Sequence, residues 1–381
     1  MTDSNQTPTR RLAESQTDFH ALRQADAVFV DKTAQLAKLC ARTRKFTLMR
    51  PEGFGKTLLL SMMETLFSEG TQAFKGLAIE KVWTDKTYKV IRLDFQEFAV
   101  FSDYDDLQKR LLTRLARVLG FEPSGNVELS IDLWQWLGSQ AVLSYVLLID
   151  NYDAPIVFNV NDDHLRRVAI SVIASFFTLI KTCDGAFRFV FVTGLSYDWS
   201  SEIRTRFNHA QDLTDDDDVA ALLGFTEAEI RSYFGEHLSR AAKTLCLTED
   251  ELFGRLRENY GGYCFDGDSA QTRVFSPKGV IGFLACPKRG FGNLCHVNDA
   301  LWCLVSKSDC FERLADGKDI RVSLGYPDKE FDKTQSDIAK ILLRTGILTI
   351  RAITSSEIVE LAYPNTEIAN RIKSKPSTQS H

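Results

Sequence analysis

Four short apolar runs constrain this chain more than any other feature: KFTLM (45–49), YKVIRLDF (88–95), SYVLLID (144–150) and FRFVFVTG (187–194). Segments with helical spacing separate them, 104–119 and 164–182 among them. Strands that are apolar at nearly every position have both faces buried, and strands that alternate with helices build a parallel sheet covered on both sides. The expected core is a doubly wound, parallel-sheet α/β fold.

The first run ends at RPEGFGKT (50–57), and TLLLSMMETLFSEG follows with apolar residues at helical spacing, closed by Gly70. Strand, Gly-containing loop and helix, in that order, form the setting that a phosphate-binding (Walker A) loop requires. Such a loop works because backbone N–H groups and a helix N-terminus point at the anion. Gly53 and Gly55 supply the backbone freedom, Lys56 the cation for the outer phosphates, and Thr57 the hydroxyl for Mg²⁺. Arg50 stands where such loops begin with Gly. The third run places Asp150 at a strand end, as expected of the Walker B acid that organises Mg²⁺ and its waters. Both motifs are expected on consecutive strands of the sheet. Thr193 closes the fourth run, where a polar side chain can sense the γ-phosphate or position water. The plain alternatives are a strand-to-helix turn with a solvent-facing Lys56, a helix-capping Asp150 and a turn residue at Thr193.

Beyond about residue 225 the pattern changes. TEAEIRSYFGEHLSRAAKTL and TEDELFGRLREN read as amphipathic helices, each opened by a Thr cap with a carboxylate three residues on. SPKGVIGFLA and NDALWCLVSK read as further helices, and GILTIRAITSSEIVELAYP as two short strands around a polar turn. The expected organisation is a flexible arm (1–17), a P-loop NTPase domain (18–225), a mostly helical lid domain with a small β-hairpin (226–370) and a tail (371–381). The acidic run DDDD (215–218) reads as a solvated loop. A net charge of −5 disfavours a surface built to coat nucleic acid. The eight cysteines show no Cys-x-x-Cys spacing, so neither a zinc site nor a dithiol redox motif is indicated. No run reaches the ~18–20 apolar residues a membrane helix needs, and the polar start carries no Sec or twin-Arg signal. A cytoplasmic protein without a membrane partner is expected.

Across DFHALR…FVDKT, RPEGFGKTLLLSMMETLF, FKGLAI, VIRLDF, VLLIDNYDAPI, FVTG, FNHAQDLT, LLGFTEAEI, NYGGYCF, GILTI and YPNTEI, the chain resembles the AAA-ATPase-like domain of bacterial proteins. Those proteins usually carry a PD-(D/E)xK nuclease-superfamily region behind that domain. The resemblance runs over about residues 18–370. It implies that Lys56, Thr57 and Asp150 handle ATP·Mg²⁺, with Asp31, Lys32 and Thr33 near the base end of the nucleotide. Arg50, Pro51 and Phe54 follow the family's habit for the loop.

Three departures bear on activity. Glu52 and Gly53 replace two cations of the family's loop, and an acid beside a nucleotide weakens binding unless it points away. Asn151 stands where the family has the Glu that polarises the attacking water, and losing such a base typically costs ~10²–10⁴-fold in rate. Asp153 matches the family's second acid and is the substitute candidate. Too few residues follow 370 for the nuclease core, so nuclease activity of that kind is not expected. The function implied is an ATP·Mg²⁺-binding switch or scaffold with weak or absent hydrolysis, with self-association or a protein partner as options. The alternatives are an active ATPase using Asp153 or a base supplied in trans, and a DNA- or protein-binding module whose nucleotide is structural.

Overall fold

The structure is a computed structural model that describes residues 10–42, 44–122, 129–196, 199–267, 269–292, 302, 313, 320–323, 335–355 and 358–374. Apart from Trp302, the helix expected over 298–307 lies outside them, as do residues 1–9 and the end of the tail.

The first half contains α1 (Phe19–Gln24), α2 (Thr33–Cys40), β1 (Lys45–Met49), α3 (Lys56–Glu69), β2 (Lys89–Asp94), α4 (Tyr104–Leu119) and α5 (Leu129–Gly138). It continues with β3 (Tyr145–Asp150), α6 (Ala154–Phe158), α7 (Asp163–Thr182), β4 (Phe187–Gly194), α8 (Ser201–Arg206) and β5 (Gln211–Asp212). The five strands form one parallel sheet in the order β2-β3-β4-β1-β5. This is the α/β fold of a P-loop NTPase, as the alternating apolar runs require. Every residue of β3 and β4 is buried.

The sheet divides the core into two layers. Leu147, Ile149, Val190 and Val192 join α4–α8 on one face. Val146, Leu148, Phe189 and Phe191 join α2 and α3 on the other. Period-two alternation therefore puts Asp150 and Thr193 on the α3 face, four residues beyond Val146 and Phe189. One expectation is corrected here: β4 lies between β1 and β3, so the phosphate loop and Asp150 come from strands that are not neighbours.

The second half begins with α9 (Glu227–Tyr233), α10 (Gly235–Leu245) and α11 (Glu249–Tyr260), with capping boxes at Thr226/Glu229 and Thr248/Glu251. The single helix read over 226–245 is broken at Phe234. β6 (Tyr263–Cys264), β7 (Arg273–Val274) and α12 (Pro277–Ala285) follow. β8 (Ile320–Ser323), α13 (Gln335–Arg344), β9 (Thr349–Ile353), β10 (Ile358–Ala362) and α14 (Thr366–Ser374) complete the described chain. The two expected hairpin strands, β9 and β10, belong to a three-stranded antiparallel sheet in which β10 also pairs with β8.

Three long-range ties join the halves. Val28 and Val30 pack among α9–α12. Tyr263, Phe265 and Val274 enter the core layer of α3. Asp215, from the acidic run expected to be solvated, holds Arg344 through a two-pronged ion pair, with Nη2 2.7 Å from Oδ2. The arm is anchored from residue 10 onward, where the Val28 N–H donates to the Arg11 carbonyl at 2.8 Å. Among the described residues no helix is long and apolar enough to cross a membrane.

Candidate nucleotide site

Gly55 caps α3 with φ of 94°, a left-handed conformation open to glycine, and its carbonyl accepts the first helical bond from the Leu59 N–H. Lys56 is therefore the first residue of the helix, and its side chain folds back across the loop. Its ammonium donates to the carbonyls of Arg50 (2.7 Å) and Pro51 (3.0 Å) and is only 7% exposed. Burial lowers its pKa, against the opposing charges of Asp150 and Glu52.

Asp150 ends β3 beneath this loop. It is 1% exposed, and neither carboxylate oxygen accepts a hydrogen bond. Burial raises its pKa, while the neighbouring Thr57 hydroxyl and the Lys56 ammonium oppose the rise. The Thr193 hydroxyl, on the same face, is also sealed from solvent without a partner. Buried polar atoms are ordinarily paired, so orphans gathered at one point mark a place for a ligand. A carboxylate with free lone pairs beside a threonine hydroxyl is an oxygen donor set that suits Mg²⁺ with most of its waters retained. Thr57 and Asp150 therefore fit the metal, and when bound it would neutralise phosphate charge. Arg92 fastens the start of α3 from β2, donating to the Thr57 carbonyl at 3.3 Å and to Glu64 at 2.8 Å.

A cleft of about 530 Å³ opens over the loop. Lys56, Thr57, Asn151 and Lys278 are among its polar lining residues, and Val28, Phe29, Val30, Met62 and Ile281 among its apolar ones. Residues 13–17 of the arm and Leu222–Phe225 complete the wall. A mixed cleft of this size suits a nucleotide, with cations for its phosphates and apolar surface for its base.

Not every residue expected in the site has its side chain there. Gly53, Phe54 and Lys32 line the cleft; Arg50, Pro51 and Asp31 do not. Arg50 turns inward and is 0% exposed; its guanidinium donates to the carbonyls of Met49 (2.9 Å) and Thr214 (2.7 Å) and stacks 4.4 Å over Phe265. Burial pushes its pKa down to about 10. Asp31 accepts bonds from Thr33 and from the Ala78 N–H, fastening the start of α2 to the short 3₁₀ turn at Ala78–Lys81. The Lys32 ammonium is committed to Glu229 (3.0 Å) and to the carbonyls of Ala221 and Gly224.

Asp153 departs most from its expected role. Its carboxylate accepts the Leu195 N–H (3.1 Å), the Ser196 N–H (3.0 Å) and the Trp199 indole N–H (2.8 Å). Burial raises its pKa against those donors. All three bonds fall on Oδ2 and hold the turn after β4, and a carboxylate so engaged and only 2% exposed is poorly placed to take a proton from water.

Asn151 lines the cleft with φ of 51°, a left-handed conformation that Asn accepts more readily than Glu. Its amide donates to Asp94 Oδ1 at 3.1 Å. Three residues near the site went unnoticed in the sequence: Arg92, Asp94 and Lys278. An Asp at the end of an apolar run, as at 150, was the available signal for Asp94. Lys278 had no motif to announce it. Its N–H donates to the Gly53 carbonyl at 3.3 Å, and its Cβ lies 3.0 Å from where a Gly53 Cβ would stand. Gly53 thus makes room for a cation from the second half beside a loop that has lost its own.

A parallel sheet with a glycine-bearing loop feeding a helix, a lysine at that helix's first position and an orphaned acid at a nearby strand end define a P-loop NTPase. Residues 15–201 match the model of the AAA-ATPase-like family, described as predicted AAA-ATPase. An uncharacterized protein from the vnfD 5′ region of Azotobacter chroococcum mcd 1 is 28% identical over 283 residues, 72% of this chain and 51% of that protein. The chain thus spans about half the length of this curated relative. Among solved structures, the Walker-type ATPase Paby2304 of Pyrococcus abyssi aligns over 96% of this chain and 99% of its own, with a TM-score of 0.43 at 11% identity. The ORC2 protein of Aeropyrum pernix, in its ADPNP-ADP complexes, aligns over 96% of each chain with a TM-score of 0.34 at 13% identity.

Proposed function

We propose that the chain is an ATP·Mg²⁺-dependent switch with slow hydrolysis, whose nucleotide state is passed from the phosphate loop to the second half. The observation that carries this reading is how the second half clasps the loop. Phe54 meets Tyr263 and Phe265 edge-on, with centroids 4.9 and 5.3 Å apart. The Gly346 turn abuts Pro51, and the Lys278 N–H holds the Gly53 carbonyl. Lys56 rests on the Arg50 and Pro51 carbonyls; a triphosphate drawing its ammonium away would shift the same residues that the clasp touches.

The orphaned oxygens of Asp150 support Mg²⁺ as the metal, and the apolar lining of the cleft supports a purine base. The engagement of Asp153 speaks against the reading in which that acid drives rapid turnover. A net charge of −5 disfavours a nucleic-acid partner, leaving a protein partner or a second copy to receive the signal. The buried thiols of Cys40 and Cys264, both with pKa raised by burial, suit a reducing cytoplasm.

Thermal melts with and without ATP·Mg²⁺ test the reading. A ligand at 100 times its Kd adds ~2.7 kcal/mol to the folded state, and Lys56→Ala should abolish that upshift. Hydrogen exchange over 335–353 should slow with ATP·Mg²⁺ in the wild type and not in Lys56→Ala. The absence of any wild-type upshift would refute nucleotide binding; an upshift without protection of 335–353 would refute the switch.

A further inference from the structure

Asn151 leaves the third strand without a carboxylate to activate water, yet a carboxylate stands beside it on the next strand. Asp94 closes β2 in register with Asp150. Arg92, two residues earlier on the same strand, reaches Thr57 and Glu64 of α3, so alternation brings Asp94 to the α3 face as well. As register partners on neighbouring strands, which lie ~4.8 Å apart, the Asp94 and Asp150 carboxylates stand side by side. Asp94 Oδ1 accepts the Gln96 N–H at 3.0 Å and the Asn151 amide at 3.1 Å. Its Oδ2 accepts no hydrogen bond from the described residues. One oxygen is thus held by two donors while the other keeps its lone pairs, on the strand beside Asp150, whose sealed oxygens have no partner.

Building on the nucleotide reading above, we propose that Asp94 activates water for ATP hydrolysis, with Asn151 as the positioning residue that orients it. Acid and amide have traded strands: β2 supplies the proton acceptor and β3 the group that fixes its rotamer. In the step, the oxygen of water bonds to the γ-phosphorus, and the bond from that phosphorus to the bridging oxygen breaks with its electron pair remaining on ADP. The proton shed by the water passes to Asp94 Oδ2. Neighbouring strands lie ~4.8 Å apart, so this acceptor sits further from the loop than a group on β3 would. That offset accounts for slow turnover, which suits a switch that must hold its nucleotide before resetting.

The test uses the full chain in single-turnover hydrolysis of ATP·Mg²⁺. Binding is followed separately, by the thermal upshift with the β,γ-imido analogue and by titration with Mn²⁺. Asp94→Asn keeps an acceptor for the Gln96 N–H and should hydrolyse ~10²-fold more slowly, with the analogue upshift retained. Exchanging the pair, Asp94→Asn with Asn151→Glu, returns a carboxylate to the site and should recover at least about tenfold of that loss. Recovery is what a purely structural Asp94 would not show. Wild-type rates in Asp94→Asn would overturn the proposal, as would analogue binding by the wild type without turnover. A slow Asp94→Asn that the exchange fails to rescue would also overturn it, leaving Asp94 as a cap for its turn. No analogue upshift in any variant would overturn both the proposal and the nucleotide reading beneath it.

Discussion

Gly346 offers the sharpest probe of the clasp, because it lies far from the phosphate loop in sequence and against it in space. It sits in the turn between α13 and β9 with φ of +77°, and a Cβ there would stand 2.7 Å from Pro51 Cγ, 2.9 Å from Pro51 Cβ and 3.3 Å from Tyr263 Cε1. A proline ring has no flexible end to swing aside, so either the turn or the loop must move. Gly346→Ala then carries two penalties: ~1–2 kcal/mol for a left-handed alanine and ~1–3 kcal/mol for overpacking. Gly290 is the control, since its φ is +73° and a Cβ there would meet nothing within 4 Å. Gly290→Ala should show the backbone penalty alone, so the two variants should differ by ~1–3 kcal/mol in denaturant unfolding. The displaced Pro51 carbonyl also holds the Lys56 ammonium, 3.0 Å away. If about 1.4 kcal/mol of the misfit reaches the loop, ATP·Mg²⁺ binds about tenfold more weakly to Gly346→Ala, while Gly290→Ala binds as the wild type does. Calorimetric titration measures this directly. Equal stability losses in the two variants, with unchanged affinity in both, would refute the clasp and the switch built on it.

Asp150→Asn removes a buried charge that accepts no hydrogen bond, so the ligand-free protein should gain on the order of 1–3 kcal/mol at neutral pH while losing its Mg²⁺-dependent upshift. Melts with and without ATP·Mg²⁺ check both halves, and a less stable ligand-free variant would contradict the assignment of Asp150 as a group kept for its ligand. Lys32 gives a prediction in pH. Burial outweighs the Glu229 carboxylate and lowers its pKa, so between the folded value and the ordinary one near ~10.4 the unfolded chain holds a proton that the folded chain does not. Its contribution is lost as pH falls through the folded value and returns as pH rises. The stability of the wild type relative to Lys32→Met should therefore grow as pH rises toward the ordinary lysine value of ~10.4; a constant difference across melts on that approach would show that Lys32 titrates as an exposed lysine.

What could be read in the sequence was what short-range physics dictates. The apolar runs at 45–49, 88–95, 144–150 and 187–194 became the long strands of one parallel sheet, since a strand without a polar face needs cover on both sides. Gly55 capped α3 and put Lys56 at its first position, and both Thr-led capping boxes formed, because caps and left-handed glycines act within a few residues. The acid at 150 was legible from its place at a strand end. The directions of Arg50, Asp153 and Asp94 were not. Arg50 looks like a phosphate ligand until Thr214 and Phe265, more than 160 residues on, form the site that buries it. Asp153 looks like a spare base until the turn after β4 brings three donors onto its carboxylate. Asp94 looks like the end of an ordinary strand until the sheet order lays β2 beside β3 and sets it against Asn151. Asp215 looks solvated until Arg344 arrives from α13. A charged side chain takes its role from the partners that desolvate or neutralise it, and here those partners lie on other elements, brought near only when sheet order and the packing of the second half are set.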